Sequence, residues 1–111
     1  MKQPDFIAEL QYHTTAQGGR STPAYSGYRP TVKFSFSEKQ TSGQQKFLNK
    51  DVAYPGDNVI AEISIISVDF FRKQLYPGLP FEFREGSKII GTGKVIEILN
   101  DSLLADKYTN S

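Results

Sequence analysis

The sequence predicts an all-β domain, an antiparallel barrel or sandwich. Three observations point that way: short stretches alternating apolar and polar residues at period two, aromatic residues concentrated in those stretches, and no apolar pattern at helical spacing long enough for an ordinary helix. At 111 residues the chain supports one modest core, and 38% hydrophobic with 13% aromatic residues is a globular rather than a disordered composition.

The elements follow in order. Asp5–Tyr12 sets Phe6, Ala8, Leu10 and Tyr12 against more polar neighbours, a half-buried strand. Residues 13–30 form a long loop containing GGRSTPAYSGYRP, in which Tyr25 and Tyr28 are expected to pin the path by packing. Thr31–Ser37 alternates Val32, Phe34 and Phe36. Gly43 is expected to break the chain before a weak strand at 45–48, and Tyr54-Pro55-Gly56-Asp57 has the proline and glycine of a type II turn. Asn58–Val68 is the longest strand signal, and Ile60, Ile66 and Val68 make its second face more apolar than a solvated strand needs. Phe70–Leu75 reads as a short helical turn stopped by Pro77 and Gly78. Pro80–Arg84 and Lys88–Leu99 make a hairpin around Glu85-Gly86-Ser87, and Gly91 and Gly93 inside its second strand mark a bulge or tight bend. A leader over residues 1–4 and a flexible polar tail over residues 100–111 flank a single domain over residues 5–99.

Charge and composition exclude several functions. No run approaches the ~20 apolar residues of a membrane span, and MKQPDF lacks a signal's apolar stretch, so the cytoplasm is the expected compartment. There is no cysteine, hence no disulfide and no thiol chemistry. Net charge is +1, but residues 18–50 carry six basic side chains against Glu38 alone, a local +5. His13 is the sole histidine and has no companion ligands for a metal or catalytic partners for a triad. Glu82, Glu85 and Glu97 fall on solvated strand positions. GTGK at Gly91–Lys94 fails as a phosphate loop, because Lys88 occupies the first glycine position, Val95 follows Lys94, and the setting is a strand. Gly18-Gly19 beside Arg20 offers at most a small backbone nest. An enzyme is therefore not expected, and neither is a metal or cofactor; binding remains.

Three motifs in register, GGR-x-TP…GYRP at Gly18–Pro30, PGDNV at Pro55–Val59 and GLPFEFREGSKIIGTGKVIEIL at Gly78–Leu99, resemble the third, C-terminal domain of elongation factor Tu. That domain carries a GGRHTP…YRPQF loop, an MPGDN turn and a GLRFAIREGGRTVGAGVV hairpin. The resemblance spans about Asp5 to Leu99 and implies a six-stranded antiparallel Greek-key β-barrel. It also implies a free-standing relative without the GTP-binding domain, so no GTP chemistry is carried over. In the family this domain touches the T-stem of aminoacyl-tRNA and packs on its neighbouring domains. Arg20, Glu85 and Gly86 match the family's RNA-contacting positions, whereas Ser21 stands where the family has histidine and Thr31 where it has glutamine. Arg29 is a further expected phosphate contact. Replacing Arg20 and Arg29 together should remove RNA binding and spare the fold. Because the RNA-reading side chains depart more than the scaffold, the resemblance implies a protein-interaction module of translation. Its expected partner is elongation factor Tu, one of its regulators or a copy of this chain, with Phe70 and Phe71 as expected partner surface. The alternatives are weak binding of a tRNA stem or other A-form RNA, and a domain with no elongation-factor activity left.

Overall fold

The computed structural model describes residues 3–108. Eight strands form, β1 Phe6–Tyr12, β2 Ala24–Tyr25, β3 Thr31–Phe34, β4 Thr41–Phe47, β5 Val52–Ala53, β6 Asn58–Ile65, β7 Pro80–Glu85 and β8 Lys88–Ile98. Six of them close a barrel in the order β1-β6-β4-β3-β7-β8, and β2 pairs with β5 as a small ribbon beside it. Every barrel pairing is antiparallel. β3, β4 and β6 follow one another as neighbours while β1 lies beside β6, which is the Greek-key arrangement.

Period-two alternation decides which side chains fill the barrel. β1 buries Phe6, Ala8, Leu10 and Tyr12, and β6 buries Val59, Ala61, Ile63 and Ile65. Phe6, Phe34, Phe71 and Phe81 meet edge to face or tilted at one end, with centroids 5.1–6.0 Å apart. Tyr12 packs edge-on against Phe83 at 4.9 Å and Phe47 at 6.4 Å toward the other end. Each such ring contributes on the order of 1.5–3 kcal/mol by its burial. The β8 glycines make room for them. A Cβ on Gly91 would lie 2.2 Å from the Phe83 ring, and one on Gly93 would lie 2.3 Å from that of Phe81. Bulges do occur here, at Phe83/Arg84 against β8 and at Ile7/Ala8 on the other side of the same strand.

Four expectations are corrected. Gly43 does not break the chain: it sits inside β4, where the Val32 side chain occupies the space a Cβ would need. The long strand stops at Ile65, and the helical turn comes earlier, as a 3-10 turn over Val68–Phe71. Tyr25 pins nothing, being 62% exposed. The tail from 100 to 108 is not a loose appendage. Leu103 is fully buried, Leu75 and Leu104 form a parallel bridge, and the N–H groups of Gln74 and Leu75 donate to the Leu103 carbonyl at 3.0 and 2.8 Å. The physical reason is that the segment around Leu75 leaves backbone groups at the barrel's end unpaired, and residues 100–105 pair them. The remainder of the expected tail, 109–111, and the first two residues of the expected leader lie outside the described residues.

At the start of the chain, buried Asp5 ties three elements. Its carboxylate accepts the Ile65 N–H at 2.8 Å and the Asn100 side-chain amide at 3.0 Å, and its carbonyl accepts Leu99 and Asn100 N–H groups at 2.9 Å.

Candidate functional site

The long loop after β1 is ordered by local chemistry. Thr14 caps a 3-10 turn over Thr15–Gln17 reciprocally: its hydroxyl accepts the Gln17 N–H at 3.1 Å, and its own N–H donates to Gln17 Oε1 at 2.8 Å. Gly18 leaves the turn in the left-handed region at φ 91°. Gly19 then passes so close to β1's exit that a Cβ would lie 2.4 Å from the His13 carbonyl oxygen. This path delivers Arg20 to the tip of the β7–β8 hairpin.

There Arg20 forms an ion pair with Glu85, the last residue of β7, and the Tyr28 hydroxyl donates to the same carboxylate oxygen. The Arg20 guanidinium lies over the Tyr28 ring, 4.6 Å from its centroid. Its remaining bonds run back into its own loop: Nε to the Thr22 carbonyl at 3.3 Å, and Nη2 to Thr22 Oγ1 at 3.2 Å and the Pro23 carbonyl at 3.3 Å. Four of the five guanidinium N–H donors are thereby engaged within the chain. Burial opposes the Arg20 charge, but the hydrogen bond with Tyr28 and the Glu85 carboxylate outweigh it and hold the guanidinium pKa above its usual value. Burial pushes the Tyr28 phenol well above the ordinary tyrosine range, and the Glu85 carboxylate it bonds adds to the shift. Tyr12, whose hydroxyl donates to Gln45 inside the barrel, is raised in the same direction, chiefly by burial and then by Tyr28.

The expected site residues thus divide. Arg20 and Glu85 come together, with Gly86 exposed at the first hairpin loop position at φ 61°, where a II′ turn takes glycine. Thr31 lies on the adjoining wall, directly across from Arg84, which is itself paired with Glu82. Ser21 and Arg29 are exposed, and Arg29 makes no ion pair or side-chain hydrogen bond among the described residues. Phe70 and Phe71 lie elsewhere, at the Phe81 end of β7. Phe71 is fully buried against Phe34, so it is withdrawn from the expected partner surface, while Phe70 is 55% exposed beneath the Lys39 ammonium. The residue that sequence reasoning undervalued is Tyr28, expected to pack but bound instead through both its ring and its hydroxyl. A tyrosine two residues before a proline carries no signal of a carboxylate 57 positions away.

Among the described residues no group of three or more His, Cys, Asp and Glu side chains is placed to hold a metal, and no helix is long and apolar enough to cross a membrane. The loop, turn and hairpin motifs all sit on this barrel, and residues 1–99 match the family described as Elongation factor Tu C-terminal domain. The chain belongs to that family. The elongation factor Tu C-terminal domain is a β-barrel, in keeping with the closed six-stranded barrel here, and it is a non-catalytic part of a translation factor.

Proposed function

We infer that the chain is a non-catalytic, cytoplasmic binding module of translation whose partner is a protein, elongation factor Tu itself or a regulator of it. One observation carries the reading: Arg20, the family's RNA-contacting arginine retained here, commits four donors and a ring face to its own chain. A guanidinium so engaged has no free fork to offer a phosphate bidentately. The barrel is kept while the group that would read RNA serves the loop. The immobilised chain is expected to retain elongation factor Tu, or a protein that regulates it, from a cell lysate. A chain that is monomeric by light scattering and retains no protein would end this reading.

A second reading has its own support. Arg29 is exposed and unpaired among the described residues, and Gly86 stands exposed at the hairpin tip, two contacts of the kind an A-form stem takes at phosphate and ribose. So few phosphate contacts give weak, salt-sensitive binding, and anisotropy with tRNA at about 50 mM salt is expected to show an affinity no tighter than about micromolar. No detectable binding at that salt would exclude it.

A further inference from the structure

The excess apolar residues of the long strand signal divide: Val68 packs against the core, Ile66 is exposed beyond the end of β6, and Ile60 lies on the outer wall. Ile60 belongs to the outward face of β6, and antiparallel register assembles three more apolar side chains with it. Leu48, just past β4, is bonded to Ile60 through its N–H at 2.8 Å; Ile60 lies opposite Glu9 of β1; one row further along, Ile7 lies opposite both Glu62 of β6 and Glu97 of β8. The bulge beside Ile7 leaves Ile96 exposed next to it. Leu48, Ile60, Ile7 and Ile96 therefore form a stepped apolar line across four neighbouring strands of the outer wall, with Leu48 48% and Ile96 46% exposed at its ends. A wall facing only water alternates to polar residues at these positions.

The charges around the line are as specific. Glu62 flanks it on one side, Glu9 on the other, and Glu97 stands beside Ile96. Lys46 and Lys94 occupy the outer corners, opposite Glu62 and Glu9 in register. Among the described residues none of these three carboxylates is within ion-pair distance of a base. The four strands set the line's length at about 14 Å, which about ten residues of α-helix match.

We propose that this wall is a docking track for a basic amphipathic helix of a protein partner, its apolar stripe on Leu48, Ile60, Ile7 and Ile96 and its lysines or arginines on Glu9, Glu62 and Glu97. The inference rests on the protein-partner reading above. Charge complementarity selects the occupant. With three carboxylates against Lys46 and Lys94, a second copy would set a net-negative wall on itself, and RNA would bring its phosphates to the carboxylates, both less favourable than a basic helix. The fit is that of an amphipathic helix laid on an apolar stripe with flanking charges for register.

The test uses the full chain, isotopically labelled, titrated with a synthetic leucine–lysine peptide patterned as an amphipathic helix and with its leucine–glutamate counterpart. The lysine peptide is expected to shift amide resonances of β1, β6 and β8, and the glutamate peptide to leave them unmoved. Ile60→Thr with Ile96→Thr, and separately Glu9→Gln with Glu62→Gln and Glu97→Gln, should each weaken binding by about tenfold or more. Unchanged amide dispersion in these variants shows that the barrel is intact. Absence of binding, equal binding of both peptides, shifts confined to other strands, or affinity indifferent to the substitutions would each overturn the proposal, as would a dimer dissolved by them. The wider protein-partner reading fails separately, by the lysate retention experiment; a partner retained equally by wild type and variants would keep that reading and remove this surface.

Discussion

Arg20 and Arg29 are nine positions apart in one loop, and the structure gives them opposite duties. Arg20 holds Glu85, Thr22, Pro23 and Tyr28 together, while the Arg29 side chain bonds none of the described residues. The sequence expectation that both can be removed without harm to the fold therefore applies to Arg29 alone. Arg20→Ala is expected to destabilise the protein by about 1–2 kcal/mol in a urea titration, since it removes the ion pair with Glu85, the bonds to Thr22 and Pro23 that order the loop, and the contact with the Tyr28 ring. Arg29→Ala should leave the midpoint unmoved. The tyrosines add a signature at high pH. Burial raises the phenols of Tyr12 and Tyr28 above the ordinary value of about 10. A raised folded-state pKa means the native state holds its proton longer than the unfolded chain does. The stability it contributes is complete below pH about 10 and is lost as pH rises beyond that value. Tyrosinate absorbance should show Tyr12 and Tyr28 still protonated at pH about 10 while the barrel is folded. Ionisation of Tyr12 and Tyr28 at pH about 10 in a folded protein would refute the burial account.

At the scale of elements, alternation made the barrel strands legible: Phe6-Ala8-Leu10-Tyr12, Val32-Phe34 and Phe81-Phe83 announce their inward faces by period alone. What alternation could not disclose was pairing. The tail is the clearest instance. Leu103 and Leu104 are two apolar residues in a polar run, with no period to mark them, yet Leu103 is fully buried because the backbone at Lys73–Leu75 needs partners there. Gly43 misled for a related reason. Glycine normally ends a strand, and only the tertiary approach of Val32 explains one inside β4. The ion pair at the candidate site was hidden in the same way, its two residues separated by 65 positions. Because the tail is part of the core, Leu103→Ala should cost about 2–5 kcal/mol, the range for emptying a buried leucine site. Measured by chemical denaturation, a loss near zero would return residues 100–108 to the status of an appendage.

On the scale of the whole molecule, closure sets the two candidate surfaces apart. In the ring β1-β6-β4-β3-β7-β8, β1 is three strands from β3 by either path, so the wall bearing Ile7 and Glu9 faces away from the wall bearing Thr31 and Lys33. β8 carries both the hairpin and Ile96, and the loop's Ser26 hydroxyl accepts the Phe47 N–H beside Leu48, yet among the described residues the track and the arginine-bearing loop share no salt bridge. Among the described residues Arg29 and the Ile60 and Ile96 side chains have no shared partner, and substitutions at such sites should behave additively. Substituting Arg29 with alanine is expected to weaken any tRNA binding while leaving the lysine-peptide affinity untouched. Substituting Ile60 and Ile96 with threonine should do the reverse, and the triple variant should carry both losses in full. Rising salt should weaken both interactions, but for different reasons. The RNA slope counts released counterions, about 0.7–0.9 per neutralised phosphate, so Arg29→Ala should reduce that slope by roughly one contact. The peptide interaction retains its apolar part at high salt and should fall to a plateau rather than vanish. A triple variant whose loss departs from the sum would mean that the two sites are coupled, with β4 and β8, the strands that touch both, as the route.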